Sequence, residues 1–318
     1  MLLREFENKR VLVTGGSGFV GSNLVNKLVK RGAKVTVLDD LFTGDLGNID
    51  SLSDIHFVNG SVINRDLVDQ LVTQVSLVFH LAARNIIVST KDPYHDLQVN
   101  VFGTFNVLEA ARKSKVERVI YTSSASVYGN SRYLPINEDD RLNILNPYAA
   151  SKLSGENYCM AFYETFGLSV TILRYSNVYG YNQSPKNPYC GVISKFFENT
   201  LQGMSPDIHG DGEQTRDFTF VDDVVDATLL AALSPKAEGE IFNVGTGLET
   251  SINELARIII TLTGNSLEPT YIDRRDIDNL RRRVLNIEKI RKDLKWIPET
   301  TLKKGLQKTH EWFQSNGF

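Results

Sequence analysis

Gly15, Gly18 and Gly21 recur at every third position between Val11-Leu12-Val13 and a segment in which Leu24, Leu28 and Val29 keep helical spacing. The apolar run before them is of the kind that forms a strand buried on both faces, and the run after them is of the kind that forms a helix. A strand, a glycine turn and a helix in that order open a βαβ unit whose turn can receive phosphate. Gly15 permits the tight turn, Gly18 lets the backbone approach a pyrophosphate, and Gly21 lets the helix close on the strand. The helix N-terminus, with Phe19 and Val20 in its first turn, then faces the phosphates. A second apolar run, Lys34-Val35-Thr36-Val37-Leu38, ends at Asp39-Asp40. Asp39 falls close to the ~20-residue offset at which an acid holds an adenosine ribose. Its charge would repel a 2′-phosphate, so NAD is expected rather than NADP. Asp40, Thr43 and Gly44 are expected on the same wall.

Further apolar runs follow at Ile55–Val58, Leu77–Leu81, Val119–Thr122 and Ser169–Leu173, with helical patterns at Arg65–Val72, Val99–Ser114 and Tyr148–Phe166 between them. Strands alternating with helices predict a Rossmann-type, doubly wound α/β fold around a parallel sheet. Ligands bind at the carboxyl ends of such strands. Residues 1–180 are expected to form this cofactor domain, with 219–245 returning to it. Residues 181–318 are expected to form a smaller mixed α/β substrate lobe, beginning with a loop rich in Asn, Pro and Lys.

Tyr148 and Lys152 lie four residues apart, on one face of the third helical pattern. An ammonium beside a phenol favours the phenolate. Lowering a tyrosine from its usual value near ~10 by ~3 units takes ~4 kcal/mol. Lys152 together with a cationic cofactor ring is expected to supply it.

Composition narrows the class. The chain of 318 residues has a hydrophobic content of 42% and a net charge of −3, which describes an ordinary globule and argues against a nucleic-acid-binding surface. No apolar run approaches the ~18 residues of a membrane span, and the charged N-terminus does not read as a secretory signal. Cys159 and Cys190 alone give no disulfide framework, and the histidines show no metal-ligand spacing. A reducing cytoplasm is the expected setting.

The ordered set of motifs resembles the extended short-chain dehydrogenase/reductases, in particular the nucleotide-sugar epimerases of the NAD-dependent epimerase/dehydratase family. It comprises Gly15 to Gly21, Asp39, His80-Leu81-Ala82-Ala83, Asn100-Val101-Phe102-Gly103-Thr104, and Ser123-Ser124-Ala125-Ser126-Val127-Tyr128-Gly129. Later come Tyr148 with Lys152, Arg174 to Gly180, and Gln214-Thr215-Arg216-Asp217-Phe218. The resemblance implies that Tyr148 is the catalytic base, that Lys152 is its partner, and that Ser124 bonds the reacting sugar oxygen. It implies that Ser61, Val62, Leu81, Ala82, Ala83, Asn100 and Tyr175 help hold the cofactor. It implies that Ser126, Asn177, Val192 and Arg216 meet the substrate, and that helices near 95–113 and 147–167 pair in a homodimer, with Tyr158, Phe162 and Phe166 as an apolar stripe. An arginine suits a diphosphate because its planar fork matches phosphate oxygens. Among Arg281, Arg282 and Arg283, Arg282 is expected at phosphate and Arg283 near the sugar, where a cation would attract a uronic carboxylate.

The reaction the resemblance implies is C4 epimerisation of a nucleotide-linked hexose, of the UDP-glucose/UDP-galactose type, through a 4-keto sugar. N-acetylhexosamines and uronic acids are alternative substrates. Dehydratases of this family carry an Asp-Glu pair where this chain has Ser124-Ala125-Ser126, and uronic acid decarboxylases tend to carry Glu where it has Ser126. The missing acids favour epimerisation. Retention of Ser124, Tyr148 and Lys152 argues against a non-catalytic NAD sensor, and Asp39 argues against an NADP-dependent reductase. Ser61 stands where relatives often have an Asp that contacts adenine. Cys190 has no assigned chemistry.

Overall fold

The computed structural model describes residues 5–183, 191–274 and 280–316. The loop expected from residue 181 and Cys190 within it lie largely outside these residues. The strands in chain order are β1 (Arg10–Thr14), β2 (Lys34–Asp39), β3 (Ile55–Asn59), β4 (Leu77–His80), β5 (Arg118–Ser124), β6 (Val170–Tyr175), β7 (Asn177–Tyr179), β8 (Asp207–His209), β9 (Thr215–Arg216), β10 (Phe218–Phe220), β11 (Glu240–Val244), β12 (Thr250–Ser251) and β13 (Thr270–Ile272). Seven of them form one sheet in the order β11-β6-β5-β4-β1-β2-β3. Every neighbouring pair in it is parallel. The chain runs outward from β1 through β2 to β3, then returns to β4 and runs the other way. The reversal beside β1 makes a crevice at the carboxyl ends of the strands, where open α/β sheets bind ligands.

The helices are α1 (Phe19–Lys30), α2 (Arg65–Val72), α3 (Ile86–Lys91), α4 (Pro93–Asp96), α5 (Thr104–Ser114), α6 (Pro147–Phe166), α7 (Val192–Leu201), α8 (Val221–Leu233), α9 (Ile252–Leu262), α10 (Glu288–Leu294) and α11 (Leu302–Ser315). Alternation along the strands divides the core. Val11 and Val13 face Leu24, Leu28 and Val224 from α1 and α8. Leu12 faces the other way, into a cluster with Leu71, Val107 and Phe162 from α2, α5 and α6. A third cluster joins Phe196, Leu255 and Phe313 from α7, α9 and α11 to Tyr179 and Phe220. Residues 181–318 do not all lie in that third cluster: Ile290, Leu294 and Trp296 pack with α1 and α8 against the main sheet. The Trp296 indole also donates to the carbonyl of Asp223. That segment is anchored to the face of the sheet by its apolar residues.

Two local features place the chemistry. Helix α6 starts where the Asn146 side chain accepts the Ala149 N–H and Pro147 takes the first turn. It stops at Gly167, whose φ of 67° is left-handed. Tyr148 therefore sits in the first turn and Lys152 one turn on. The helix expected over 99–114 begins instead with a wide π-helical stretch, Leu97–Gly103, before α5. A Cβ on Gly103 would lie 2.4 Å from the Val62 side chain, so the widened turn packs directly on the loop after β3. Among the described residues no helix is long and apolar enough to cross a membrane.

Candidate active site

A cavity of about 870 Å³ lies along the carboxyl ends of the strands. Its first part is made of main chain. Gly15 has a φ of +71°, and a Cβ there would lie 2.7 Å from the Ala82 nitrogen. A Cβ on Gly21 would lie 2.0 Å from the Gly15 carbonyl oxygen. Gly18 caps α1 in extended backbone with no side-chain hydrogen bond, which leaves the helix end directed at the cavity that Gly18, Phe19, Val20 and Gly21 line. Asp39 is fixed by two main-chain donors, Ser17 N–H at 2.9 Å and Leu41 N–H at 2.8 Å. Burial raises its pKa, while those two donors and the Arg84 charge oppose the rise. These groups fit NAD: a closed glycine turn and a helix terminus for the pyrophosphate, and an oriented carboxylate for a ribose diol.

Asp40, Thr43, Gly44, Ser61, Val62, Leu81, Ala82 and Ala83 also line this cavity, and at its far end so do Ser124, Tyr148, Lys152 and Tyr175. Arg84 was not anticipated. Its guanidinium pairs with Asp40 at 2.5 Å, donates from Nε to His95 at 2.8 Å, and lies 4.1 Å from the Phe42 ring centroid. Asp40 follows β2 and Arg84 follows β4, so this pair bridges the two strands on either side of β1. The signal was present in the sequence, since Arg84 directly follows the Leu81-Ala82-Ala83 run.

The structure places the other expected residues as follows. Asn100 does not line the cavity. Its Oδ1 accepts the Arg84 N–H at 2.7 Å, and its amide nitrogen lies 3.0 Å from the Arg84 carbonyl, 2.6 Å from Asp96 and 3.1 Å from Ser151. It holds the loop after β4 against α6. Tyr175 presents its ring to the cavity, but its hydroxyl pairs with Thr228 at 2.6 Å. Ser126 is buried behind Ser124, with their hydroxyls 3.1 Å apart. Asn177 opens β7, where its N–H donates to the Asp217 carbonyl, and Val192 is the first residue of α7. Neither lines this cavity. Arg216 is buried, donating to the carbonyls of Thr215 and Leu280. Its neighbour Asp217 is buried and accepts from Thr246, Gly247 and Leu285. Arg282 is exposed and paired with Glu249 at 2.5 Å. Arg283 is the buried one, 5% exposed, and its charge reaches Tyr148.

The acid–base corner also differs from expectation. Burial raises the Tyr148 pKa, a hydrogen bond from Ser124 lowers it, Asp96 raises it and Arg283 lowers it. Lys152 is not among these influences. Its ammonium sits 4.4 Å from the centroid of the Tyr121 ring, and burial brings its own pKa from 10.5 down to about 8. Desolvation therefore works against the phenolate in the free protein. Beneath this corner lies His80, whose tautomer follows from its partners. Thr104 donates to the Asn100 carbonyl, so its oxygen is left to accept from His80 Nε2. Thr14 accepts from Ala82 N–H and donates to Nδ1. Burial and the Lys152 charge hold this imidazole neutral, with a pKa lowered to about 3.

Comparison with known proteins agrees with this geometry. Residues 11–245 match the model of the NAD dependent epimerase/dehydratase family. A putative UDP-glucose 4-epimerase of Methanocaldococcus jannaschii is 41% identical over 96% of this chain and 99% of its own length. A UDP-N-acetyl-alpha-D-glucosaminuronate decarboxylase of Bacillus cytotoxicus is 37% identical over 96% of this chain and 98% of its own. The crystal structure of a UDP-glucose 4-epimerase from Thermotoga maritima with UDP-glucose superposes with a TM-score of 0.92 at 36% identity, covering 96% of this chain and 99% of that one. The chain belongs to the NAD-dependent epimerase/dehydratase family, and NAD is its cofactor.

Proposed function

We propose that this enzyme interconverts the C4 epimers of a nucleotide-linked hexose, of the UDP-glucose/UDP-galactose type. The observation that carries the reading is the makeup of the corner: Ser124, Tyr148 and Lys152 border the cavity, while Ala125 and Ser126 stand where elimination would need carboxyl groups. Bound NAD supplies a hydride acceptor that is regenerated within one cycle. Tyr148 takes the C4 hydroxyl proton, and Ser124, whose hydroxyl favours the phenolate, orients that hydroxyl. A positive nicotinamide ring held beside Tyr148 would counter the desolvation that disfavours its phenolate. Arg216 and Asn177 grip the nucleotide, which supplies binding energy remote from the reacting carbon.

A uronic acid is the second reading. What favours it is Arg283, buried and close enough to Tyr148 for its charge to be felt there. A cation in that place would attract a carboxylate on the hexose. The assembly we propose is a homodimer. Leu97, Phe102, Phe105, Tyr158 and Phe166 are exposed apolar residues of the π-helical stretch, α5 and α6, and Phe105 meets Tyr158 edge to face.

Purified enzyme incubated with UDP-glucose, UDP-N-acetylglucosamine or UDP-glucuronic acid, without added cofactor, separates the readings by NMR. The C4 epimer of UDP-glucose is the expected product. Conversion of UDP-glucuronic acid alone would transfer the assignment to the uronic reading, and loss of carbon dioxide or water would overturn epimerisation. Tyr148→Phe should retain NAD yet lose activity by ~1,000-fold, within the range that general acid–base catalysis contributes.

A further inference from the structure

Glu156 and Arg174 form an ion pair in which both side chains are nearly inaccessible, 2% and 3% exposed. Buried pairs are costly to desolvate, and apolar residues of similar size often serve stability as well. The position of this pair suggests another task. Glu156 lies on α6 one turn beyond Lys152 and two turns beyond Tyr148, so the three share a helix face. One carboxylate oxygen accepts the Ser123 hydroxyl at 2.5 Å, and Ser123 directly precedes Ser124. Arg174 holds both carboxylate oxygens, Nε at 2.9 Å and Nη2 at 2.6 Å. Its remaining nitrogen donates to the Tyr128 hydroxyl at 2.8 Å and the Glu138 carbonyl at 2.7 Å. Tyr128 passes the chain on to Asn243 at 2.6 Å.

We propose that Glu156, locked in place by Arg174, is a positioning residue that holds the Lys152 ammonium and the Ser124 strand end in fixed relation. The inference rests on the reading of Tyr148 and Lys152 as the acid–base pair. Lys152 is faced by Glu156 and Cys159 on its own helix, by Asp96 of α4, by His80 of β4, and by the Tyr121 ring of β5. Burial disfavours its charge, and Glu156 comes first among the groups that restore it, ahead of Cys159 and Asp96. Arg174 holds both oxygens of the carboxylate, so Glu156 cannot swing away.

The test is Glu156→Gln in the full-length protein, read two ways. Lysine labelled with 13C at Cε gives the titration of Lys152 by NMR, assigned with Lys152→Met and measured without any sugar. Lys152 should titrate near pH 8 in the wild type and about one unit lower in the variant. In turnover of the nucleotide sugar, kcat should fall ~10-fold with KM within ~2-fold, a share of what acid–base catalysis contributes, and the alkaline limb of the pH profile should move down with the lysine. If the single variant does not fold, Glu156→Gln with Arg174→Met removes both charges and carries the same expectation. A folded variant in which the Lys152 titration is unmoved overturns the proposal, whatever sugar is turned over. A shifted titration in a protein that epimerises no nucleotide sugar would support the positioning role while refuting the epimerase reading.

Discussion

Around Gly15 and Gly21 the cavity wall is main chain, whereas around Tyr148 and Lys152 it is a shell of buried side-chain polar groups. The first region recognises its ligand by absence of atoms: glycines, a bare helix end and a carboxylate steered by two N–H groups. The second works by charges that partly cancel, with Asp96 and Arg283 acting in opposite directions on Tyr148. One region should therefore fail when volume is added, and the other when charge is changed. The largest expected effect tests the first half of that contrast. Gly21→Ala places a methyl 2.0 Å from the Gly15 oxygen and 2.9 Å from the Gly16 Cα, both backbone atoms that cannot move aside. NAD affinity should fall at least ~100-fold, about 3 kcal/mol. Gly18→Ala is the comparison, because its nearest atom is 3.3 Å away. Melting curves with and without NAD should show both values lowered for Gly21→Ala, and only the NAD increment lowered for Gly18→Ala.

The second region is tested by pH. An unfolded His80 binds a proton below about 6.5, whereas the folded one does not until about 3. The unfolded state then holds more protons, so this group withdraws stability as the pH falls through that window and contributes nothing above it. At pH 5 the cost is about 2 kcal/mol. Asp39, Asp96 and Asp217 have raised pKa values and bend the curve the other way, so the informative quantity is the difference between the wild type and His80→Asn in denaturant titrations at pH 7 and pH 5. A difference that does not change with pH would mean that the Thr14–His80–Thr104 chain accommodates the imidazolium.

The same contrast explains what the sequence could disclose. Main-chain recognition leaves a linear trace, because glycines at fixed spacing, an apolar strand and a terminal Asp39 are all local. The β-strands of the Rossmann sheet were legible for the same reason, as short apolar runs with alternating faces. Side-chain shells leave no such trace. Arg84 meets Asp40 across β1, and Glu156 meets Arg174 between a helix and a strand; neither pairing has a period or a motif. Lys152 was correctly placed one turn after Tyr148 on the helix, yet its ammonium lies over Tyr121, a residue of β5 that only the fold brings near. The three consecutive arginines 281–283 read alike in sequence, and packing alone separates exposed Arg282 from buried Arg283. Trp296 likewise docks on the main sheet through apolar contacts that linear order assigned to the second lobe.

Arg84 lies where the two regions meet, and a smaller effect is expected from it. Its pair with Asp40 bridges the ends of β2 and β4, beside the glycine turn. Dissociation of the dinucleotide would then require the pair to open. Arg84→Gln should speed exchange of bound NAD for labelled NAD by ~10-fold, about 1.4 kcal/mol, with kcat little changed. Unchanged exchange would assign the pair to fastening the loop after β2 rather than to retention of the cofactor.

Ser61 offers the finest test, because it asks whether the main-chain half of the cavity has any room for an added charge. It lines the cavity just past β3, and its hydroxyl accepts the Ile63 N–H over a long 3.4 Å. Ser61→Asp would place a stronger acceptor there, able to take the Ile63 N–H and the exocyclic amine of an adenine ring. Against that stands repulsion from Asp39 and Asp40, one already desolvated and the other already neutralised by Arg84. The charge-assisted hydrogen bond to the adenine amine outweighs screened repulsion at this range, so NAD should bind ~3-fold more tightly, under ~1 kcal/mol. Calorimetry of the cofactor-free variant at low and high salt discriminates the two terms. A gain that grows with salt means repulsion is present but outweighed, whereas a loss at low salt that salt reverses means that the wall around Asp39 tolerates no further negative charge.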